Sequence, residues 1–116
     1  MIELERVYNS KSKGFRILVD GVWPRGLTKE AVNANVWIKD IAPSDELRKW
    51  FAHDDSKWGQ FRKKYKKELK TKQNIEKLKE IKELEIKNKK IILLFGAKNE
   101  KHNQAVVLKE VLDNFR

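Results

Sequence analysis

The sequence predicts an α/β fold, a small and mostly parallel sheet of three to four strands with helices packed around it, in a single domain over residues 1–116. Three observations predict it. Lys90 to Ala97 is a continuous apolar run of the kind buried on both faces of a parallel sheet. A tight loop and an amphipathic helix follow, so this segment reads as half of a βαβ unit. Phe15 to Val22 is a second strand-like run that ends, like the first, in polar residues.

Taken in order, Ile2 to Tyr8 alternates apolar and polar and reads as a half-buried strand, with a Ser/Lys/Gly loop from Asn9 to Gly14. Phe15 to Val22 is the more buried strand. The Trp23-Pro24-Arg25-Gly26 turn leaves it, because Pro24 has no N–H for a ladder and Gly26 tolerates dihedrals that other residues resist. Thr28 to Ala31 is a short helical turn, and Asn35 to Ile41 a short strand or extended ledge with Val36 and Ile38 facing one way. Ser44 is a helix N-cap with Asp45 and Glu46 in the first turn, where the macrodipole favours acids, and that helix runs to about Phe51. After a second capping signal at His53-Asp54-Asp55-Ser56, Trp58, Phe61, Tyr65 and Leu69 recur along one helical face. Ile75, Leu78, Ile81 and Leu84 mark a third helix whose stripe drifts around its axis, ending at Asn88 to Lys90. The last helix is expected from Glu100 to Phe115, with either Asn99 as its cap or the Lys98 to Asn103 loop as a binding element.

A chain of 116 residues suffices for one core and one site. No apolar run approaches the roughly 20 residues of a membrane span, and the N-terminus lacks a signal-peptide layout, so the expected location is the cytoplasm and no membrane partner is expected. The absence of cysteine removes disulfides, thiolate zinc sites and a Cys nucleophile. His53 and His102 lack the spacing of a metal set and capping accounts for Asp54 and Asp55, so no metal or cofactor is called for.

The formal net charge is +10, and the excess is concentrated. Eight basic residues against one acid fall between Lys57 and Lys72, among them Lys63, Lys64, Lys66, Lys67 and Lys70. Such a field attracts polyanions, whether nucleic acid, anionic lipid or an acidic protein; a solvated helix face explains the same pattern.

In open α/β sheets ligands sit outside the carboxyl ends of the strands. Asp20, Trp23 and Arg25 follow one predicted strand; Lys98, His102 and Asn103 follow the other. Arg25 offers a planar fork for phosphate or carboxylate, and Asp20 either orients it, acts as a base, or simply pairs with it. The start of the final helix adds free N–H groups and the positive end of a dipole, with His102 as a titrating group.

The ordered blocks Arg16-Ile17-Leu18-Val19-Asp20, Trp23-Pro24-Arg25-Gly26-Leu27, Trp37-Ile38-Lys39-Asp40-Ile41-Ala42-Pro43-Ser44, Leu47-Arg48-Lys49-Trp50-Phe51, His53-Asp54, Trp58, Phe61, Tyr65 and His102-Asn103 with Ala105-Val106-Val107-Leu108 resemble the YeaO-like family, small bacterial proteins classed under a domain of unknown function. The resemblance spans nearly the whole chain and brings no reaction with it. It implies that Lys39, Asp40 and His53 group with Asp20, Arg25, Lys98, His102 and Asn103. More distant relatives in the wider family carry Cys-His-Arg where this chain has Lys101-His102-Asn103, so a mechanism using that cysteine is closed to it.

The expectation is a polar pocket for a small anionic ligand, phosphate-bearing or carboxylate. Arg25, Lys39, Lys98, Asn103, His53 and Trp23 are its candidate binding residues, and His102, Asp40 and Asp20 the candidate acid/base groups if there is catalysis. The alternatives are a nucleic-acid accessory module using the Lys57 to Lys72 face, and a protein-interaction domain. The sequence sets no oligomeric state.

Overall fold

The most apolar run takes the centre of the sheet. In the computed structural model, which describes residues 1–115, all five residues of β4 (Ile91–Phe95) are buried. β4 lies between β1 (Ile2–Arg6) and β2 (Phe15–Leu18), and β3 (Val36–Trp37) completes the order β1-β4-β2-β3. Every neighbouring pair is parallel, with Ile2 opposite Ile91, Phe15 opposite Ile91 and Ile17 opposite Val36. A strand apolar on both sides belongs in the middle, where helices or loops cover both faces.

The helices are α1 (Lys29–Val32), α2 (Asp45–Phe51), α3 (Trp58–Glu68), α4 (Lys72–Asn88) and α5 (Gln104–Asp113). The first face of the sheet carries Ile17, Val19, Ile91, Leu93 and Phe95 into the main core, against residues of α2 to α5 such as Phe51, Phe61, Tyr65, Ile81 and Leu108. The second face carries Leu18, Ile92 and Leu94 into a smaller cluster with Val7 and Val32, edged by Trp23, Leu27 and Ala34. None of these helices is long and apolar enough to cross a membrane.

Much of the element plan follows the sequence pattern. Ser44 caps α2, its hydroxyl accepting from Leu47 N–H at 3.2 Å, and Ala52 closes that helix at φ 44°. Phe61, Tyr65 and Leu69 are buried along α3, and Leu78 and Ile81 along α4, with Ile75 and Leu84 half-buried. The 36–41 ledge resolves into β3 and a 3-10 turn, Lys39–Ile41. Tyr65 pins that turn to α3 by donating its hydroxyl to the Ile41 carbonyl at 2.6 Å, and burial of the phenol raises its pKa.

Four elements differ at their boundaries. The strand expected to reach Val22 pairs as β2 only through Leu18, and one further bond, Val19 N–H to the Leu94 carbonyl at 3.1 Å, continues it before the chain turns away. The strands expected over Ile2 to Tyr8 and Lys90 to Ala97 are likewise trimmed at their ends. The last helix begins at Gln104, not Glu100, because Asn103 is its cap and accepts from Val106 N–H at 3.2 Å. Asn99 instead folds the preceding loop, its side-chain oxygen accepting from the N–H groups of Lys101 and His102 at 2.9 Å each.

The passage from β1 to β2 explains a buried charge. These strands are parallel with β4 between them, and segment 7–14 is too short to carry a crossover helix, so it returns across the second face as a loop, with Gly14 against Ile92. A loop brings backbone groups that need partners. Arg16, only 5% exposed, meets them: its guanidinium donates to the carbonyls of Asn33 (2.9 Å), Ser12 (2.7 Å) and Val32 (3.0 Å) and to the Ser10 hydroxyl (2.8 Å). Ser10 and Ser12 donate in turn to Glu5. Burial alone would raise the Glu5 pKa, but these hydroxyls and the Arg16 charge hold it below the usual carboxylate range.

Candidate functional site

After β2 the chain moves over the second face, and after β4 it moves over the first, where α5 lies. The crevice between β2 and β4 at their carboxyl ends is therefore the topological switch point of the sheet. Asp20 occupies it. One carboxylate oxygen accepts from Gly96 N–H at 2.8 Å, and the other accepts from the Gln104 side-chain amide. The approach is close enough that a Cβ on residue 96 would lie 2.9 Å from the Asp20 carboxylate, which explains glycine there. Burial raises the Asp20 pKa, opposed by the Gly96 and Gln104 hydrogen bonds and by the nearby His53 and Arg48.

On the second-face side of this junction, Trp23 donates its indole N–H to the Leu27 carbonyl (2.7 Å) and packs edge-on against Trp37 with ring centroids 5.4 Å apart. Trp37 donates its own N–H to the Asp20 carbonyl at 2.7 Å. Arg25 does not pair with Asp20: the turn carries it towards the end of β1, where its carbonyl accepts from the Tyr8 hydroxyl at 2.9 Å and its side chain is exposed. Gly26 makes that turn possible with φ +82°. Lys39 lies 5.8 Å from the Trp37 ring centroid, and Asp40 is exposed beside it.

On the first-face side, His53 is exposed at φ 58° following α2, its ring 6.2 Å from that of Phe51. His102 is turned away from Asp20. Its ring stacks on Trp58 at 4.7 Å, and its Nδ1 is 3.1 Å from Asp55 Oδ1, which also accepts from the Asn99 amide at 3.1 Å. This cluster ties the β4–α5 loop to the start of α3. Lys98 is exposed on that loop, and Asn103 is buried as the cap of α5.

One expectation is narrowed by this geometry. The N–H groups expected to be open to an anion are in part already taken, Lys101 and His102 by Asn99 and Val106 by Asn103. At the carboxyl end, Asp20, Gly96 and Gln104 close on one another. Two clefts lie elsewhere, one of about 540 Å³ between α2 and α3 near Trp50 and Glu68, the other of about 400 Å³ among α3, α4 and α5 near Leu69 and Phe115. Gln104 is the residue at this junction that sequence reasoning missed, since nothing near it in the chain signals its contact with Asp20.

Along the basic helix, Arg62 and Lys66 are paired with Glu110 of α5, and Lys64 lies 4.9 Å from the Trp50 ring centroid. Lys63, Lys67 and Lys70 are exposed.

A family model described as "Inactive DUF488-N3 subclade" matches residues 1–115. The chain is 40% identical over 114 residues to the uncharacterized protein YeaO of Escherichia coli, covering 96% of each chain. Uncharacterized proteins of Mycobacterium bovis and Mycobacterium tuberculosis are each 39% identical over 70 residues, 59% of each chain. No solved structure matches. The chain thus belongs to the YeaO-like proteins of this DUF488 subclade.

Proposed function

We propose that this protein binds a small phosphate- or carboxylate-bearing anion at the carboxyl-end rim of its sheet, without turning it over. What supports this reading is that Arg25, Lys39 and Lys98 follow β2, β3 and β4 at the carboxyl end of one parallel sheet and are each exposed there. Arg25 supplies a bidentate fork, and Lys39 and Lys98 supply point charges. Trp23 and Asn103 position the two loops that bear them, and His53 adds a cation when protonated. Binding without turnover is favoured because the candidate acid/base groups are already engaged, His102 with Asp55 and Asp20 with Gly96 and Gln104. Asp40 stands alone in solvent. The subclade's description as inactive, and Lys101 in place of the wider family's cysteine, agree with this.

A ligand that binds only the folded state stabilises it by about 2.7 kcal/mol at a hundredfold excess over Kd, which for a chain of this size moves the melting point by roughly 10 °C. Thermal-shift titration with phosphate, pyrophosphate and citrate should raise the melting point, and Arg25→Ala, Lys39→Ala and Lys98→Ala combined should lose the shift while melting within about 2 °C of the parent. No shift with any of these anions, or an equal shift in the triple variant, refutes the reading.

A second reading, a nucleic-acid face on α3, is favoured by Lys63 and Lys67, exposed one turn apart on that helix, with Lys70 exposed in the turn that follows it. Affinity for an oligonucleotide should then fall steeply with salt and vanish on charge reversal at these three positions.

A further inference from the structure

We infer that the anion recognised at this rim carries a planar aromatic ring, which stacks on Trp37. The inference rests on the anion-site reading above and extends it to the ligand's chemical class. Trp37 is 40% exposed on an edge strand, yet it is fixed: its indole N–H is bonded to the Asp20 carbonyl, and its ring packs edge-on against Trp23, whose own N–H is held by Leu27. An aromatic side chain that exists only to cover an edge needs no such orientation. A rigid ring loses little conformational freedom when a second ring stacks on it, which makes it an efficient platform. Lys39 Nζ lies over the ring, 5.8 Å from its centroid and near the outer limit of a cation–π contact, so it is lightly held, can swing aside for a stacking ring and is available to an anion attached to that ring.

The distribution of exposed apolar surface agrees independently. Tyr8 and Val22, at 39% and 56% exposed, follow β1 and β2 at the same end of the sheet as Trp37. Met1 and Ile86, the other large exposed apolar residues, lie at the opposite end, where the Met1 amino group meets Glu85 and the Lys89 carbonyl. Exposed apolar groups mixed with cations at one end suit a ligand with an apolar, flat body and a negative charge.

Three probes separate the ring from the anion: adenosine 5′-monophosphate, ribose 5-phosphate, which lacks the base, and adenosine, which lacks the phosphate. Calorimetric titration of the whole protein should show the monophosphate binding about tenfold or more tighter than ribose 5-phosphate. Trp37→Leu should bring the two within about twofold of each other while leaving ribose 5-phosphate binding intact, and Trp37→Phe should restore part of the difference. Lys39→Ala should weaken both phosphates together. Equal binding of the two phosphates by the parent protein overturns the ring and leaves the anion site standing. Adenosine binding as tightly as its monophosphate overturns the anion site and keeps the ring. If none of the three binds, both readings fall.

Discussion

The two faces of the sheet are covered by different means. On the first face, α2 to α5 satisfy most of their own backbone, and the core there is apolar apart from the Tyr65 hydroxyl, which donates to the Ile41 carbonyl. On the second, segments 7–14 and 19–35 lie across the strands with just one turn of helix, α1, among them. Loops bring unpaired carbonyls and N–H groups, so that face includes a buried arginine, a carboxylate and two hydroxyls in place of a larger apolar cluster. The comparison teaches that Arg16 serves this covering: its guanidinium closes carbonyls of the 7–14 loop and of the C-terminal end of α1 that neither a ladder nor a helix closes. The same loops deliver Trp23, Arg25 and Trp37 to the carboxyl end, and the helical side delivers His53, His102 and Gln104, so the candidate site is the seam between the two coverings.

Removing packing from the helical face should have the largest effect. Phe61 is buried in the main core and stacks on Phe51 at 4.2 Å, and Phe61→Ala should cost about 3–5 kcal/mol in urea unfolding, as one cooperative loss. Next comes Arg16→Ala, which strands the Asn33, Ser12 and Val32 carbonyls and leaves Glu5 without its cation, at a cost of about 3 kcal/mol. Here the loss should be local. Amide exchange should accelerate in segments 7–14 and 29–35 before it does in β4 or α3, and uniform acceleration would show that the loop cover is not a separate unit.

The acid limb of the stability curve separates the faces too. Because the folded-state pKa of Glu5 lies below its unfolded value, its contribution is present above the unfolded pKa and is lost as pH falls through the folded one. Glu110 behaves alike on the helical side, held at about 2 by Arg62 and Lys66, though its exposure limits the contribution to about 1 kcal/mol or less. A pH-independent effect is expected from Tyr65→Phe, which leaves the Ile41 carbonyl without its donor at about 1–2 kcal/mol. Urea midpoints from pH 3 to 7 for Glu5→Gln, Glu110→Gln and Tyr65→Phe would check all three.

The helical side was the legible one. A stripe such as Phe61, Tyr65 and Leu69, or a cap such as Ser44, is a local pattern, and local patterns survive into the fold. β4 was legible as a central strand for the same reason. The seam was not. Arg16 shows in the sequence only as a charge interrupting an apolar run, and its partners at Ser10, Ser12, Val32 and Asn33 depend on the path of a loop that topology decides. Asp20 and Arg25 are neighbours in sequence, yet the turn sends one to the β2–β4 crevice and the other towards Tyr8. Asn99 and Asn103 are both plausible caps, and only the loop fold, which uses the first to close an Asx turn, assigns α5 to the second.

Asp20 is where the two coverings part, and its replacement should have the smallest effect on stability and the most informative one. Its folded-state pKa is raised above the unfolded value, so between those two values the native protein holds more protons than the unfolded chain and stability declines as pH rises through that window. At neutral pH the buried carboxylate is thus a net cost. In Asp20→Asn the side-chain oxygen still accepts from Gly96 N–H, and rotation of the Gln104 amide lets its oxygen accept from the new N–H, so no hydrogen bond need be lost. The variant should unfold within about 0.5 kcal/mol of the parent or slightly later at pH 7, and should lose the decline between acid and neutral pH. Removing a negative charge from the rim should also tighten phosphate binding. A variant destabilised by more than about 2 kcal/mol at pH 7 would make Asp20 a structural tie between β2 and β4, not a buried charge the fold can do without.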